Sequence, residues 1–255
     1  MSKRYKKQKG LKYLNLELKA HMIYGLLGRN GAGKSTIMNL MARRIFPSSG
    51  LLKISGVQLK EGMNLSPIVH LLSEENYYNI DVKIASHFKN IHDLNEHFDI
   101  ENAYRIAELF KLDSNQKLKS LSTGYLTIFK LCIALSIRVD VLLLDEPIKG
   151  LDANHRELFY SLHLEYYQNH NNTIVISSHI IDEITNLIEE VIVIEDGNII
   201  LEQSVEYLLN HAYLFSGKYE EVIKTLNGLI PLHIERKAFE TRANILTEIE
   251  NMHNL

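Results

Sequence analysis

The segment Gly28–Thr36, GRNGAGKST, constrains the fold of this chain more than any other feature. It follows the apolar run MIYGLL (Met22–Leu27) and precedes IMNLMARRI, in which apolar residues recur at helical spacing. The segment fits the pattern G-x-x-x-x-G-K-[ST] in full. A strand, a glycine-rich loop and a helix in this order predict a loop whose backbone N–H groups surround a phosphate.

The residue types in this loop suit phosphate chemistry. Glycines let the backbone approach the phosphate without a clash of Cβ atoms. Lys34 is predicted to place its ammonium on the β- and γ-phosphate oxygens, and the Ser35 hydroxyl is predicted to ligate Mg²⁺. The candidate binding residues of the loop are Gly28, Asn30, Gly31, Ala32, Gly33, Lys34, Ser35 and Thr36.

A pair of acidic residues ends the buried run VLLLDEP. Asp145 ends the predicted strand and is expected to hold Mg²⁺. Glu146 follows it, points elsewhere, and is expected to polarise an attacking water. Phosphoryl transfer needs a metal, charge stabilisation and an oriented nucleophile, and these two carboxylates supply what the glycine-rich loop lacks.

Apolar strand-length runs alternate with helical patterns along most of the chain, which predicts an α/β fold with a mostly parallel sheet. The segment from about 81 to 138 is predicted to be an inserted helical subdomain, with Asp99 capping one helix. Residues 206–255 are predicted to form a small C-terminal accessory module after a main domain of residues 1–205. Local patterns also predict a strand over 14–18, a helix over 181–190 and a hairpin turn at Asp196–Gly197.

Composition limits the classes of protein to which the chain can belong. The 255 residues carry a formal net charge of −3, which does not favour nucleic acid as the main partner. The single cysteine, Cys132, lies in an apolar helical run and is predicted to be buried and inert. No signal peptide and no membrane-spanning run is expected, so any membrane association is predicted to depend on a partner.

A second candidate anion site lies in the stretch KSLSTGYLTIFKL (Lys119–Leu131). Ser122 is a predicted helix cap, Gly124 follows in the first turn, and apolar residues continue at helical spacing. A helix N-terminus with unpaired N–H groups favours an anion. The chain therefore presents two predicted phosphate-binding elements.

The order GRNGAGKST, LSTGY, VLLLDEP, GLD and a strand ending in His179 resembles the ATPase domain of ABC transporters. The resemblance covers residues 5 to about 205, and LSTG without a final Gln is similar to ABC-2-type exporter ATPases in particular. It implies a P-loop NTPase fold of ABC type, with an N-terminal antiparallel β part beside the parallel core sheet. It also implies ATP as the substrate and Mg²⁺ as the cofactor.

The same resemblance implies roles for residues outside the first loop. Tyr5 matches the position of an aromatic residue that stacks on adenine, and His179 matches a histidine that reaches the γ-phosphate. Glu74 stands where most members have a glutamine that touches Mg²⁺ and water, with Glu75 as the alternative register. Asp152 matches a loop that crosses between subunits.

In the family, two ATPase domains close head to tail, and each LSGGQ segment caps the γ-phosphate held by the other domain. Ser122 and Gly124 are retained here, whereas Thr123 replaces a glycine and Tyr125 replaces the glutamine. The resemblance therefore implies a second ATPase domain as a partner, in a homodimer or a heterodimer. It also implies what each phosphate-binding element binds: the first loop holds the nucleotide of its own domain, and the Ser122 segment contacts the γ-phosphate held by the partner domain.

The resemblance further implies a separate multi-span membrane subunit and a peripheral location on the cytoplasmic face of the cell membrane. Tyr77, Tyr78 and Phe88 are candidate anchors for that subunit, because aromatic residues are enriched at interface cores. The resulting hypothesis is an ATP-hydrolysing exporter subunit. The alternatives are a soluble ABC-type ATPase and a regulatory nucleotide-binding subunit with low turnover.

Overall fold

The computed structural model describes residues 1–4, 10–60, 62–63, 65, 68–226, 233–236 and 241–246. These residues form two compact units, 1–202 and 203–255. Tyr5, the predicted adenine-stacking residue, lies outside the described residues.

The first unit is built on a six-stranded sheet in the order β4-β5-β6-β1-β7-β8. β1 pairs in parallel with both β6 and β7, and β5 pairs in parallel with β4 and β6. The turn from β7 to β8 uses Asp196 and Gly197, both at positive φ, as the predicted hairpin requires. The strands of this unit are β1 (Ile23–Leu27), β2 (Lys53–Ile54), β3 (Val57–Gln58), β4 (Val69–Leu72), β5 (Val141–Asp145), β6 (Thr173–Ser178), β7 (Glu190–Glu195) and β8 (Asn198–Ser204).

The register brings the carboxyl ends of three neighbouring strands together. Asp145 of β5 lies beside Ser177 of β6, and Leu27 of β1 lies beside Ser178. Ligands of open α/β sheets bind outside this edge of the sheet. The loops that follow β1, β5 and β6 therefore meet at one place.

Helices cover the sheet and fill the insertion between β4 and β5. The helices of the first unit are α1 (Lys34–Met41), α2 (Ile84–Leu94), α3 (Ile100–Leu109), α4 (Thr123–Ala134) and α5 (Ala153–His170). α2, α3 and α4 lie between β4 and β5 in the chain. Asp99 and Ser122 accept hydrogen bonds from backbone N–H groups and cap α3 and α4, as predicted. The core between α1 and the sheet includes Leu26, Met38 and Leu143.

The predicted fold class is confirmed, although its antiparallel part is small. β2 and β3 form a two-residue antiparallel ladder, and isolated bridges join Ser2 to Ser49 and Lys3 to Leu11. The strand predicted over 14–18 is wrong. Leu14 exchanges backbone hydrogen bonds with Met1 instead of entering a ladder, although alternate side chains along this segment still point into the core.

The helix predicted over 181–190 is also wrong. The segment forms two short 3₁₀ turns, Ile181–Glu183 and Thr185–Leu187. Ile184 and Ile188 pack closely over Gly25 of β1, where a Cβ atom would lie 2.5 Å from the side chain of Ile188. The β-branched residues of this segment favour helix weakly, so packing against the sheet determines its conformation.

In its described residues, the second unit has two short helices and an antiparallel sheet in the order β10-β11-β9. Val222 and Leu226 of α7 pack against Ala243 and Phe215. Its elements are α6 (Val205–His211), β9 (Ala212–Gly217), α7 (Tyr219–Leu226), β10 (His233–Arg236) and β11 (Thr241–Leu246).

His163 of α5 should make the stability of the fold fall in acid. Its side chain is fully buried against Phe159, and among the described residues neither ring nitrogen has a hydrogen-bond partner. Burial lowers the pKa of His163 to about 4. The unfolded chain takes up this proton near pH 6.5, so the free energy of unfolding should fall by up to about 3 kcal/mol between pH 6.5 and 4.

Urea unfolding at about pH 7.5 and about pH 5 tests this expectation. His163→Leu should reduce the loss of stability on acidification, and the rest should come from His70, whose pKa burial also lowers to about 4. His92→Gln changes an exposed histidine and serves as the control. An equal loss of stability in the parent and in His163→Leu would contradict the assignment.

Candidate functional site

The loop between β1 and α1 has the shape of a phosphate cradle. Gly33 has a φ of 117°, and a Cβ atom on Gly28 would lie 2.4 Å from the carbonyl oxygen of Ile194. Both positions therefore need glycine, one for its backbone conformation and one for the close approach of β7. Ser35 and Thr36 follow in the first turn of α1, and Ser35 is exposed.

Lys34 lies inside this loop rather than in solvent. Its side chain is 6% exposed, and its Nζ donates to the carbonyl oxygen of Gly28 at 2.7 Å. The same ammonium lies 3.6 Å from Oε1 of Glu146. The loop thus holds a buried positive charge where the sequence pattern predicts the β- and γ-phosphates.

Asp145 and Glu146 diverge after β5, as predicted. Ser177 of β6 accepts a hydrogen bond from the Glu146 N–H at 3.0 Å and donates its hydroxyl to Oδ1 of Asp145 at 2.6 Å. Glu146 has a φ of 51°, a conformation that costs a non-glycine residue roughly 1–3 kcal/mol. One serine therefore holds the Asp145 carboxylate and the backbone of Glu146, and it supports the turn that separates the two side chains.

His179, directly after β6, completes a line of three charged or titratable groups. Its Nδ1 lies 2.9 Å from Oε2 of Glu146, while Oε1 of the same carboxylate faces Lys34. The Glu146 side chain is 10% exposed and that of His179 is 41% exposed. The carboxylate is thus held between an ammonium and an imidazole at the open edge of the sheet.

The donors at this edge fit Mg²⁺, which takes oxygen ligands and usually keeps phosphate oxygens and waters in its shell. Ser35 of α1 supplies a hydroxyl and Asp145 of β5 a carboxylate, and α1 packs against β5. Within the described ranges, no cluster of three His, Cys, Asp or Glu side chains forms a metal site by itself.

The Glu74 carboxylate forms an ion pair with Lys149, and both side chains are about half exposed. The hydrogen bond between the Lys149 ammonium and the Glu74 carboxylate is the main reason that the pKa of Lys149 is raised. The structure therefore places Glu74 beside the loop that follows Glu146.

The second predicted phosphate-binding element lies at the start of α4. Ser122 caps this helix by accepting from the Tyr125 N–H at 3.3 Å. The ring of Tyr125 packs edge-on against His155 at 5.9 Å between centroids. His155 lies 3.1 Å from the carboxylate of Asp152, which caps α5. Ser122 and Asp152 therefore lie on neighbouring helix starts.

Gly124→Ala should destabilise the chain, because the start of α4 contacts the loop before α5. A Cβ atom on Gly124 would lie 2.4 Å from the carbonyl oxygen of Gly150, and both partners are backbone. We expect the free energy of unfolding to fall by about 1–3 kcal/mol, which is the usual cost of overpacking a tight site. Urea unfolding measures the loss, with the exposed Thr123→Ala as the control. Equal stability of the two variants would refute the close approach.

Sequence reasoning missed Ser177 and Lys149, and it misassigned one anchor. Ser177 had a visible signal, since two serines end the otherwise apolar strand IVISS. Phe88 is fully buried and stacks on Phe129 at 5.9 Å, so its prediction as a partner anchor is wrong. Tyr78 also packs against Phe129, edge-on at 5.0 Å, whereas Tyr77 is 62% exposed.

Solved structures share this fold. The dimeric structure of a post-hydrolysis state of the ATP-binding cassette MJ0796, bound to ADP and Pi, aligns with a TM-score of 0.72 at 20% identity. The alignment covers 80% of this chain and 96% of that chain. At this identity the likeness shows the fold. Among the described residues, no helix combines the length and the apolar composition that crossing a membrane requires.

Sequence relatives agree with the fold. The bacitracin transport ATP-binding protein BcrA of Bacillus licheniformis is 32% identical over 227 residues, which are 84% of this chain and 72% of BcrA. The ABC transporter ATP-binding protein YtrB of Bacillus subtilis (strain 168) is 26% identical over 189 residues, and the chain spans 65% of the length of YtrB. Residues 11–149, more than half of the chain, match the ABC transporter family. The predicted resemblance is thereby confirmed, and the chain belongs to the ABC transporter family, among its ATP-binding proteins.

Proposed function

We propose that this chain is the ATP-hydrolysing subunit of a membrane exporter and works as one half of a head-to-tail pair of ATPase domains. The observation that carries the proposal is the position of Glu146 between Lys34 and His179. A carboxylate at this point can accept a proton from a water aligned with the γ-phosphate. Lys34 and His179 then stabilise the charge that develops on the phosphate oxygens.

ATP entry must first break contacts within the loop. Lys34 donates to Gly28 and pairs with Glu146, so phosphate oxygens must replace these acceptors. Release of Glu146 from Lys34 leaves its carboxylate available for the attacking water. Ser35 and Asp145 would hold Mg²⁺, which would supply charge neutralisation during phosphoryl transfer.

In this proposal, the start of α4 acts on the nucleotide of the partner domain. Ser122 presents a hydroxyl, and the N-terminus of α4 favours negative charge. Asp152 lies on the neighbouring helix start and would face the partner together with Ser122. Thr123 and Tyr125 change this surface relative to LSGGQ but leave its cap and its glycine in place.

Ser122→Glu tests the head-to-tail arrangement. A carboxylate at this cap would repel the partner's γ-phosphate, so ATP-dependent dimerisation and turnover should both fall at least about tenfold. Sedimentation with ATP in a Glu146→Gln background measures dimerisation, and a phosphate-release assay in the hydrolysing chain measures turnover. Ser120→Glu, two residues earlier and also exposed, should leave both unchanged. Normal turnover and dimerisation in Ser122→Glu would overturn the arrangement.

The relatives' names support a transport role, and a multi-span membrane subunit is the proposed partner. Tyr77 is the exposed aromatic residue near the end of β4, so a photo-crosslinking amino acid at position 77 should capture that subunit in native membranes. The same probe at Tyr13, which is also exposed, is the control. Equal crosslinking at both positions would contradict the proposed surface.

A regulatory subunit with low turnover is the second candidate. The Glu74–Lys149 ion pair favours a regulatory role. Glu74 matches the family's metal-contacting glutamine, and in the ion pair its carboxylate is bound to Lys149. Turnover of the purified chain distinguishes the two candidates. Hydrolysis at the rates usual for enzymes, about 1 s⁻¹ or faster, supports the motor, and ATP binding without turnover supports the regulator.

A further inference from the structure

Lys130 is a buried lysine in α4 whose ammonium forms hydrogen bonds with a segment distant in the sequence. Its Nζ donates to the backbone carbonyl oxygens of Ser73 at 2.9 Å, Glu74 at 2.7 Å and Glu75 at 3.1 Å. The residue is 6% exposed. One ammonium therefore binds three consecutive peptide groups just after β4.

The surroundings of Lys130 are otherwise those of a core helix. Phe129 and Leu131 on either side are fully buried. Burial lowers the pKa of Lys130, because removal from water disfavours the charged form. An ammonium has three donors, and here each has a carbonyl acceptor, which offsets the cost of burying the charge. An apolar side chain would fill the site at lower cost but would leave residues 73–75 without this attachment.

Lys130 connects two parts of the molecule: α4, whose start is proposed to contact the partner's nucleotide, and the segment before Tyr77, which is proposed to contact the membrane subunit. Its helix is capped by Ser122, which lies eight residues or about 12 Å away along the helix axis. Residues 73–75, which Lys130 binds, are followed closely by the exposed Tyr77. The guanidinium of Arg44 lies over the Tyr77 ring at 4.8 Å and donates to the carbonyl oxygen of Leu71 at 2.9 Å. Tyr77 thus lies two residues beyond the segment that Lys130 holds, and its ring contacts Arg44, which follows α1.

We propose that Lys130 is a positioning residue that makes residues 73–75 move as one body with α4. It would carry a displacement of α4, caused by the partner's nucleotide at Ser122, to the surface around Tyr77. This inference rests on the proposed function for the source of the displacement. The attachment itself rests on the three hydrogen bonds.

The Glu74–Lys149 ion pair is a second contact of the same segment, and it is weaker. Both side chains are about half exposed, and such pairs contribute little to stability and are screened by salt. Lys149 is therefore a matched control for Lys130. Its removal takes away a lysine that binds the same segment without removing the buried attachment.

A spin label on the segment measures the attachment. Glu75→Cys provides an exposed labelling site, and the native Cys132 is buried with a raised pKa, so the label goes to position 75. In the chain of 255 residues without nucleotide, Lys130→Met should shorten the rotational correlation time of the label at least about threefold. Lys149→Met should change it much less, and Lys130→Arg, which keeps the charge, should lie between the parent and Lys130→Met.

A general loss of stability is excluded by Ile133→Val. This conservative change lies in the same helix at a buried position, where it weakens core packing and keeps the Lys130 side chain. It should leave the mobility of the label unchanged, and circular dichroism confirms that each variant is folded. An unchanged label in Lys130→Met, or an equal change in Ile133→Val, would overturn the proposal.

A second measurement separates this proposal from the proposed function. In a Glu146→Gln background, ATP should dimerise the chain and change the spectrum of the label at position 75. With Lys130→Met, dimerisation should remain and the spectral change should be lost. Dimerisation without a spectral change in the Lys130 parent would overturn the role of Lys130. Absence of dimerisation would refute the head-to-tail arrangement instead, and the mobility measurement without nucleotide would still decide the attachment.

Discussion

Replacement of Glu146 by Gln should slow ATP hydrolysis by about 10²–10⁴-fold while ATP binding remains, since an amide cannot take a proton from the attacking water. The amide keeps the shape of the side chain, and its carbonyl oxygen can still accept from His179. The loss of the ion pair with Lys34 should favour nucleotide binding, because phosphate no longer competes with a carboxylate. A phosphate-release assay and nucleotide titration measure the two effects.

The same variant should accumulate an ATP-bound dimer, because hydrolysis is the step that would release it. Sedimentation in the presence of ATP and Mg²⁺ should show the dimer in Glu146→Gln and mainly monomer in the parent after turnover. Glu157→Gln, at an exposed position of α5, is the control for loss of one negative charge. Turnover in Glu146→Gln near that of the parent would remove Glu146 from the proposed role.

The features that were predicted correctly from sequence depend on neighbouring residues. The cap of α3 by Asp99 and that of α4 by Ser122 use hydrogen bonds to N–H groups three residues away. The turn at Asp196–Gly197 needs two residues at positive φ, which this dipeptide favours. Short-range chemistry of this kind leaves a readable pattern in the sequence.

The features that sequence reasoning missed depend on distant contacts. Lys130 reads as one polar position in an apolar helix, and its three acceptors follow β4, more than fifty residues earlier. Ser177 gains its importance only when β6 lies beside β5 and brings its hydroxyl to Asp145. The segment 181–190 has a helical pattern, but contact of Ile184 and Ile188 with β1 outweighs it.

Lys34→Ala should weaken ATP binding at least about 100-fold, which corresponds to about 2.7 kcal/mol. The ammonium is 6% exposed inside the phosphate-binding loop, where a charge-assisted contact with phosphate is stronger than it is in water. Its removal also leaves Glu146 without its cationic neighbour in the loop, so the carboxylate would repel the incoming phosphates. The lost contact with phosphate and the repulsion by Glu146 both weaken ATP binding.

A nucleotide series separates these effects from unfolding. Lys34 is predicted to contact the β- and γ-phosphates, so the loss of affinity should be large for ATP and ADP and small for AMP. Lys89→Ala removes an exposed lysine of α2 and should leave all three affinities unchanged. The double variant Lys34→Ala/Glu146→Gln should recover part of the ATP affinity, because it removes the repelling carboxylate. Equal loss for ATP and AMP would mean that Lys34 supports the fold of the loop rather than the phosphates, and absence of recovery in the double variant would mean that Glu146 does not oppose nucleotide entry.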